Sequence, residues 1–170
     1  EEAGRGLPLL APMSDIAGRV AVQAGTHMLY QPLGGKGLLL GGIPAAERGH
    51  VVILGAGVAG GNAARLAAAS GARVTVFDRS REKLEAMRAV GDNVTALYAY
   101  GDAVEQAVLE ADLLIGAVLI TGARAPHLVA PTGAAAALFG EGRQGLRPRG
   151  GQEARTRRGR GGLRAIEVLT

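Results

Sequence analysis

Apolar residues along this 170-residue chain fall into short unbroken runs separated by stretches of helical periodicity. Val51-Val52-Ile53-Leu54 places four apolar residues in succession, the pattern of a parallel strand covered on both faces. Further strand signals follow at Arg73–Phe77, Val94–Tyr98 and Asp112–Val118. Between them, residues 58–70, Ser80 to Val90 and 102–110 read as helices. Upstream, Ser14-Asp15 offers an N-cap for a helix over 15–30, with Ile16, Val20, Ala21, Ala24, His27 and Met28 on one apolar face. Pro8 and Pro12 predict an extended or irregular segment over 1–13. Frequent Gly and Pro make 31–50 a loop broken by the apolar patch Leu38-Leu39-Leu40. Strands alternating with helices predict an α/β fold with a right-handed parallel sheet, four strands of which are visible.

The first strand runs directly into Gly55-Ala56-Gly57-Val58-Ala59-Gly60, a G-x-G-x-x-G spacing that opens the next helix. Gly55 would permit the tight turn, Gly57 the approach of a pyrophosphate to bare backbone, and Gly60 the packing of helix on strand. The helix start adds unpaired N–H groups that suit an anion. In a chain with 28 glycines the spacing alone is weak. Its context strengthens it, because Asp78 closes the following strand at the offset where a carboxylate takes ribose hydroxyls. Together these features predict a Rossmann-type doubly wound parallel sheet that is incomplete. A carboxylate at Asp78 favours NAD, since it would repel a 2′-phosphate, while Arg79 and Arg81 leave tolerance of NADP open.

Composition changes the picture in two places. Aromatic residues make up 3% of the chain and Trp is absent, so the core must be built from Ala, Val, Leu and Ile. The absence of Cys removes disulfides and thiolate metal sites and fits a cytoplasmic protein. No apolar run is long enough for a membrane span and no leader pattern opens the chain, while Glu1 in place of Met suggests a fragment of a longer protein. The net charge of +4 is local: residues 1–130 hold 11 Lys and Arg against 12 acids, and residues 131–170 hold 8 Arg against 3 acids. The expected organisation is a connecting helix and glycine-rich loop over 1–50, the nucleotide-binding domain over 51–130, and an irregular, basic, disordered tail over 131–170.

Several longer strings carry a resemblance. Leu7-Pro8-Leu9-Leu10-Ala11-Pro12-Met13-Ser14-Asp15-Ile16-Ala17-Gly18-Arg19, then Gly34-Gly35-Lys36-Gly37-Leu38-Leu39-Leu40-Gly41-Gly42-Ile43-Pro44 and Gly116-Ala117-Val118-Leu119-Ile120, resemble signatures of the alanine dehydrogenase family. More distantly, the segment resembles the nucleotide-binding component of proton-translocating transhydrogenases. The first resemblance implies reversible NAD-dependent oxidative deamination of L-alanine to pyruvate and ammonia, in a cytoplasmic homo-oligomer. It implies that Ser14 sits against the cofactor, that Val58 and Ala59 meet the pyrophosphate, and that Asp78 and Lys83 lie at the adenosine ribose. Val118 and Leu119 would line the nicotinamide side, and Ala99 stands where the family has a serine hydroxyl. The family's substrate-holding arginine and lysine and its acid/base histidine come from a preceding domain with no counterpart here, so no catalytic residue is assigned. Beyond Val129 the resemblance stops, and the tail reads equally as a divergent native segment or as a GC-rich gene in a shifted frame.

Other chemistry is weakly signalled. His27 is expected to pack on the helix face, His50 to lie on the surface before the first strand, and His127 to sit in a loop. No metal-ligand spacing or serine nucleophile elbow is present in the sequence. The arginine tail could contact phosphate backbone, but its one aromatic, Phe139, leaves little for base stacking, so nucleic acid is not the expected partner. A non-catalytic nucleotide-binding module and a transhydrogenase-type component remain the alternatives.

Overall fold

Burial on both faces dictates the centre of the molecule. The computed structural model describes residues 10–118 and two further strands, 154–158 and 164–168. Strand β1 (His50–Leu54) is buried at every position, which its continuous apolar run allows. It pairs in parallel with β2 (Arg73–Asp78) on one side, Ile53 opposite Val76, and with β4 (Leu113–Gly116) on the other, Ile53 opposite Ile115. Strand β3 (Val94–Tyr98) pairs in parallel with β2, with Asp78 opposite Tyr98. With β5 (Ala154–Arg158) and β6 (Arg164–Val168), the sheet order is β3-β2-β1-β4-β6-β5.

Alternation along the strands divides the core in two. Val51, Ile53, Val74, Val76, Ala96 and Ile115 face a cluster shared with helices α1 (Leu10–Met28), α2 (Val58–Ala69) and α3 (Arg81–Arg88). Val52, Leu54, Phe77 and Leu114 face the opposite way, against Val104 and Val108 of α4 (Gly101–Glu110). Helices on both faces of a parallel sheet make this the doubly wound arrangement predicted from the sequence. Each fully buried Val, Leu or Ile contributes about 1.5–3 kcal/mol, and β1 alone supplies three at zero exposure.

Four local expectations need correction. Helix α1 begins at Leu10 rather than near Asp15, so Pro12 lies within its first turn. The first four N–H groups of a helix have no acceptor, and proline forfeits nothing there. Ser14 is consequently inside the helix and not its N-cap.

The buried face of α1 also differs. Ser14, Gly18, Ala21, Val22, Gly25 and Leu29 are buried, whereas Ile16 (57%) and Val20 (46%) are exposed. Small residues won because the neighbours come so close: a Cβ on Gly18 would overlap the Ala59 carbonyl, and one on Gly25 would meet the Leu113 side chain at 2.5 Å.

The described histidines exchange their expected environments. His27 is exposed, edge-on to Tyr30 at 5.9 Å, and His50 is 4% exposed. His50 is accommodated because its ring nitrogens meet the Thr75 hydroxyl at 2.8 Å and the Glu110 carbonyl at 3.4 Å.

Finally, the stretch 131–170, expected to be disordered on composition, contributes two strands. β6 pairs in parallel with β4, and β5 runs antiparallel along its outer edge. Ala165, Ile166 and Val168 give β6 a strand-forming apolar content that the Arg and Gly average over the whole tail conceals. The remainder of 131–170, His127 and Leu119 lie outside the described residues.

Candidate functional site at the β1–α2 turn

Where β1 ends, the chain must reverse into α2 within three residues. Gly55 makes the turn at φ +99°, a conformation side-chain-bearing residues rarely adopt. A Cβ there would also meet the Ala117 carbonyl oxygen at 2.5 Å. The Gly55 N–H donates to the Phe77 carbonyl at 2.7 Å, which anchors the turn on β2. Gly60 faces the turn from the first coil of α2, so close that a Cβ would overlap the Gly55 carbonyl. Gly57 has a different reason to be glycine, since nothing lies within 4 Å of the position its Cβ would take. Its lack of a side chain keeps space open in front of the helix.

That space meets the start of α2. Gly57 is the N-cap residue and no side chain caps the helix. The first hydrogen bond of the coil runs from Gly61 N–H to the Gly57 carbonyl at 2.8 Å. The N–H groups of Val58, Ala59 and Gly60 precede it and are the unpaired donors of a helix start, where partial positive charge gathers. Val58 is 48% exposed, while Ala59 is buried beneath α1.

Asp78, at the carboxyl end of β2, closes one side. One carboxylate oxygen accepts the Ala56 N–H at 2.6 Å and the other the Ser80 N–H at 2.7 Å. Two backbone donors hold the carboxylate in place and leave each oxygen lone-pair capacity toward solvent. Lys83 is in the first turn of α3, which Ser80 caps by accepting the Lys83 N–H at 3.4 Å, and its side chain is in solvent. Val118 is half-buried beside the turn, its methyl 3.1 Å from where a Cβ on Gly55 would lie. Ser14 is buried one turn before Gly18 on the face of α1 that abuts Ala59. Thus Gly55, Gly57, Val58, Ala59, Gly60, Asp78 and Val118 converge on one turn, Ser14 is buried one helical turn before the Gly18–Ala59 contact, and Lys83 stands further out along α3.

Sequence reasoning passed over two supports. Asn62, in the second turn of α2, donates to Asp15 of α1 at 2.6 Å and to the Val58 carbonyl at 2.9 Å, and accepts from Arg19 at 3.4 Å. It ties the first turn of α2 to α1. The second is Gly18, whose close approach to Ala59 brings the helices together. A polar residue interrupting the alanine-rich α2 was the only sequence signal for Asn62, and Gly18 gave none. At the other end of the strands, His50 donates its N–H to Asp112 at 2.8 Å, and Asp112 pairs with Lys36 at 2.6 Å. Burial holds the His50 ring below its ordinary pKa, with the nearby Arg73 charge acting in the same direction. This cluster is remote from the turn. So is a recess of about 490 Å³ between α2 and α3, lined by Arg65, Ala69, Ala86 and Asn93.

Comparison with known proteins agrees with the fold. The chain is 52% identical over 126 residues to the alanine dehydrogenase of Halomonas elongata and 50% identical over 127 residues to that of Bacillus subtilis. These alignments cover 73% and 74% of the chain but 34% of either relative, so the chain spans about a third of the length of the curated relatives it matches. A solved L-alanine dehydrogenase superposes with a TM-score of 0.73 at 50% identity, covering 78% of this chain and 37% of that one. The transhydrogenase of Sinorhizobium meliloti, at 23% identity and a TM-score of 0.59 over 72% of this chain and 37% of that one, shares the fold. The profile described as "Alanine dehydrogenase/PNT, C-terminal domain" matches residues 21–134. The chain belongs to the alanine dehydrogenase/PNT C-terminal domain family.

Proposed function

We propose that this chain is the NAD-binding portion of an alanine dehydrogenase, an enzyme that interconverts L-alanine with pyruvate and ammonia. The observation that carries the reading is the turn itself: an open approach at Gly57, unpaired N–H donors at Val58, Ala59 and Gly60, and a fixed carboxylate at Asp78. These residues fit a dinucleotide. The helix start would take the pyrophosphate, and Asp78 would accept from the adenosine ribose hydroxyls. Lys83 would stand beside that ribose, Ser14 would border the cofactor from α1, and Val118 with Leu119 would line the nicotinamide half. When bound, NAD would supply the hydride acceptor for the alanine Cα–H. The Asp78 carboxylate carries the preference for NAD over NADP, because it would repel a 2′-phosphate.

The groups that hold the amino acid and move its proton are, on this reading, not among the described residues. His50 begins β1, and Gly25, two residues before His27 on α1, packs against Leu113 at the start of β4, so both histidines lie at the level of the amino end of the sheet. Ligands of such sheets sit at the carboxyl end. The same reading places the protein in the cytoplasm as part of a homo-oligomer, and among the described residues no helix is long and apolar enough to cross a membrane.

The test combines calorimetric titration of the chain with NAD and an assay of alanine-dependent NADH formation. NAD binding without turnover is expected, with affinity reduced at least about tenfold in Asp78→Ala. A folded chain that does not bind NAD would remove the reading, and turnover by the chain alone would overturn the placement of the acid/base groups elsewhere.

A further inference from the structure

We infer that Tyr98 and Tyr100 form an aromatic platform on which the purine base of the dinucleotide stacks. The inference rests on the NAD-binding reading above and extends it to a part of the ligand for which the turn offers no partner. Asp78 and Tyr98 are opposite one another in the β2–β3 register. Immediately beyond, the Ala99 N–H donates to the Asp78 carbonyl at 3.1 Å, and the Tyr100 N–H donates to the Tyr98 carbonyl at 2.8 Å. This tight bend brings the two rings to a centroid separation of 4.8 Å at 45°. The purine hangs from the same ribose whose hydroxyls Asp78 would hold, so the base must be accommodated close to that carboxylate, and β3 is the adjacent strand.

Exposure points the same way. Tyr98 is 45% and Tyr100 67% exposed, although the whole chain has only three Tyr, two Phe and no Trp. Rings that open contribute little to the core, so packing does not account for two of the five aromatic residues being paired at the carboxyl end of one strand. An aromatic face offers dispersion and π-stacking to any purine without an edge hydrogen bond. Leu97, 39% exposed and one residue earlier, alternates to the other face of the strand and serves as a control.

The experiment is a calorimetric titration of the full chain with NAD, ADP-ribose and nicotinamide mononucleotide. Tyr100→Ala is expected to weaken NAD and ADP-ribose by roughly 5- to 100-fold. Tyr100→Phe should stay within about twofold of wild type, because the stacking face is retained. Nicotinamide mononucleotide, and Leu97→Ala with any ligand, should show no change. Without Trp, tyrosine emission reports on two of three fluorophores at the platform, and ADP-ribose should quench it after correction for adenine absorbance. If wild type binds NAD and both Tyr98→Ala and Tyr100→Ala bind it within about twofold as well, the platform is refuted while the NAD site stands. A change in sedimentation of these variants with unchanged nucleotide affinity would refute it too, by assigning the patch to a protein contact. Failure of the folded wild type to bind NAD would remove both readings together.

Discussion

Gly57 and Gly60 stand three residues apart in one motif, yet the structure gives them opposite reasons for lacking a side chain, and exchanging each for alanine separates those reasons. At Gly60 a Cβ would overlap the Gly55 carbonyl, and neither partner is a flexible side chain that can swing away. Overpacking of this kind costs about 3 kcal/mol at the upper end of the usual range. Alanine recovers about 1 kcal/mol of helix propensity over glycine. The net loss of about 2 kcal/mol corresponds to a drop of roughly 4–8 °C in Tm for a chain of this size. At Gly57 a Cβ meets nothing within 4 Å, and φ −71° with ψ −165° is backbone that alanine adopts freely. The smaller entropy of the unfolded Ala chain and the poorer N-cap preference of alanine oppose one another, so stability should change by less than about 1 kcal/mol. The methyl group would instead occupy the approach to the unpaired N–H groups and weaken NAD at least about tenfold. Differential scanning calorimetry and NAD titration on the two variants separate these effects. Equal Tm losses in both variants, or wild-type NAD affinity in Gly57→Ala, would refute the reasoning.

Three other outcomes follow from the packing and charge. Gly18→Ala should cost about 1–3 kcal/mol in urea unfolding because its Cβ would overlap the Ala59 carbonyl, where an exposed α1 position such as Val20 tolerates alanine within about 0.5 kcal/mol. Asn62→Ala should lower stability by about 1–2 kcal/mol, with Asp15→Ala adding little in the double variant since both remove the same bond. His50 has a lowered pKa when folded, so below its ordinary value of 6.5 the unfolded state binds more protons. Its contribution is therefore complete above that pH and is lost as pH falls toward the folded pKa, by at most about 1.4 kcal/mol per pH unit. Urea midpoints between pH 5 and pH 8 should fall less steeply in His50→Gln, and parallel curves would contradict the burial argument.

Regular alternation explains why so much was legible beforehand. β1, β2, β3 and β4 and the helices between them announce themselves through local periodicity, and the glycine turn through its spacing together with the strand before it and the offset of Asp78. What escaped depended on contacts between distant parts of the chain. Hydrophobicity ranks Ile16 and Val20 above Gly18 and Gly25, but helix approach to Ala59 and Leu113 selects the smallest residues instead. The burial of His50 becomes tolerable only when β2 presents Thr75 and the end of α4 presents Glu110. Pro12 read as a helix breaker because its cost depends on where the helix begins, which the pattern of side chains did not mark. Strand β6 was hidden by its arginine-rich surroundings, and its register exists only opposite β4. Within the site, Asp78 was found by offset, whereas its grip on Ala56 and Ser80 required coordinates.

That double grip constrains any redesign of nucleotide choice. An engineer seeking to admit a phosphorylated ribose would first replace the Asp78 carboxylate with a neutral or cationic group. The same carboxylate staples the glycine turn to β2 and orders the entry to α3 through two backbone N–H groups. Its removal would strand both donors, so a charge reversal intended only to alter selectivity would loosen the scaffold that presents the ligand. A successful switch must therefore supply substitute acceptors for Ala56 and Ser80 along with the new cation, which makes it a change of several positions rather than one.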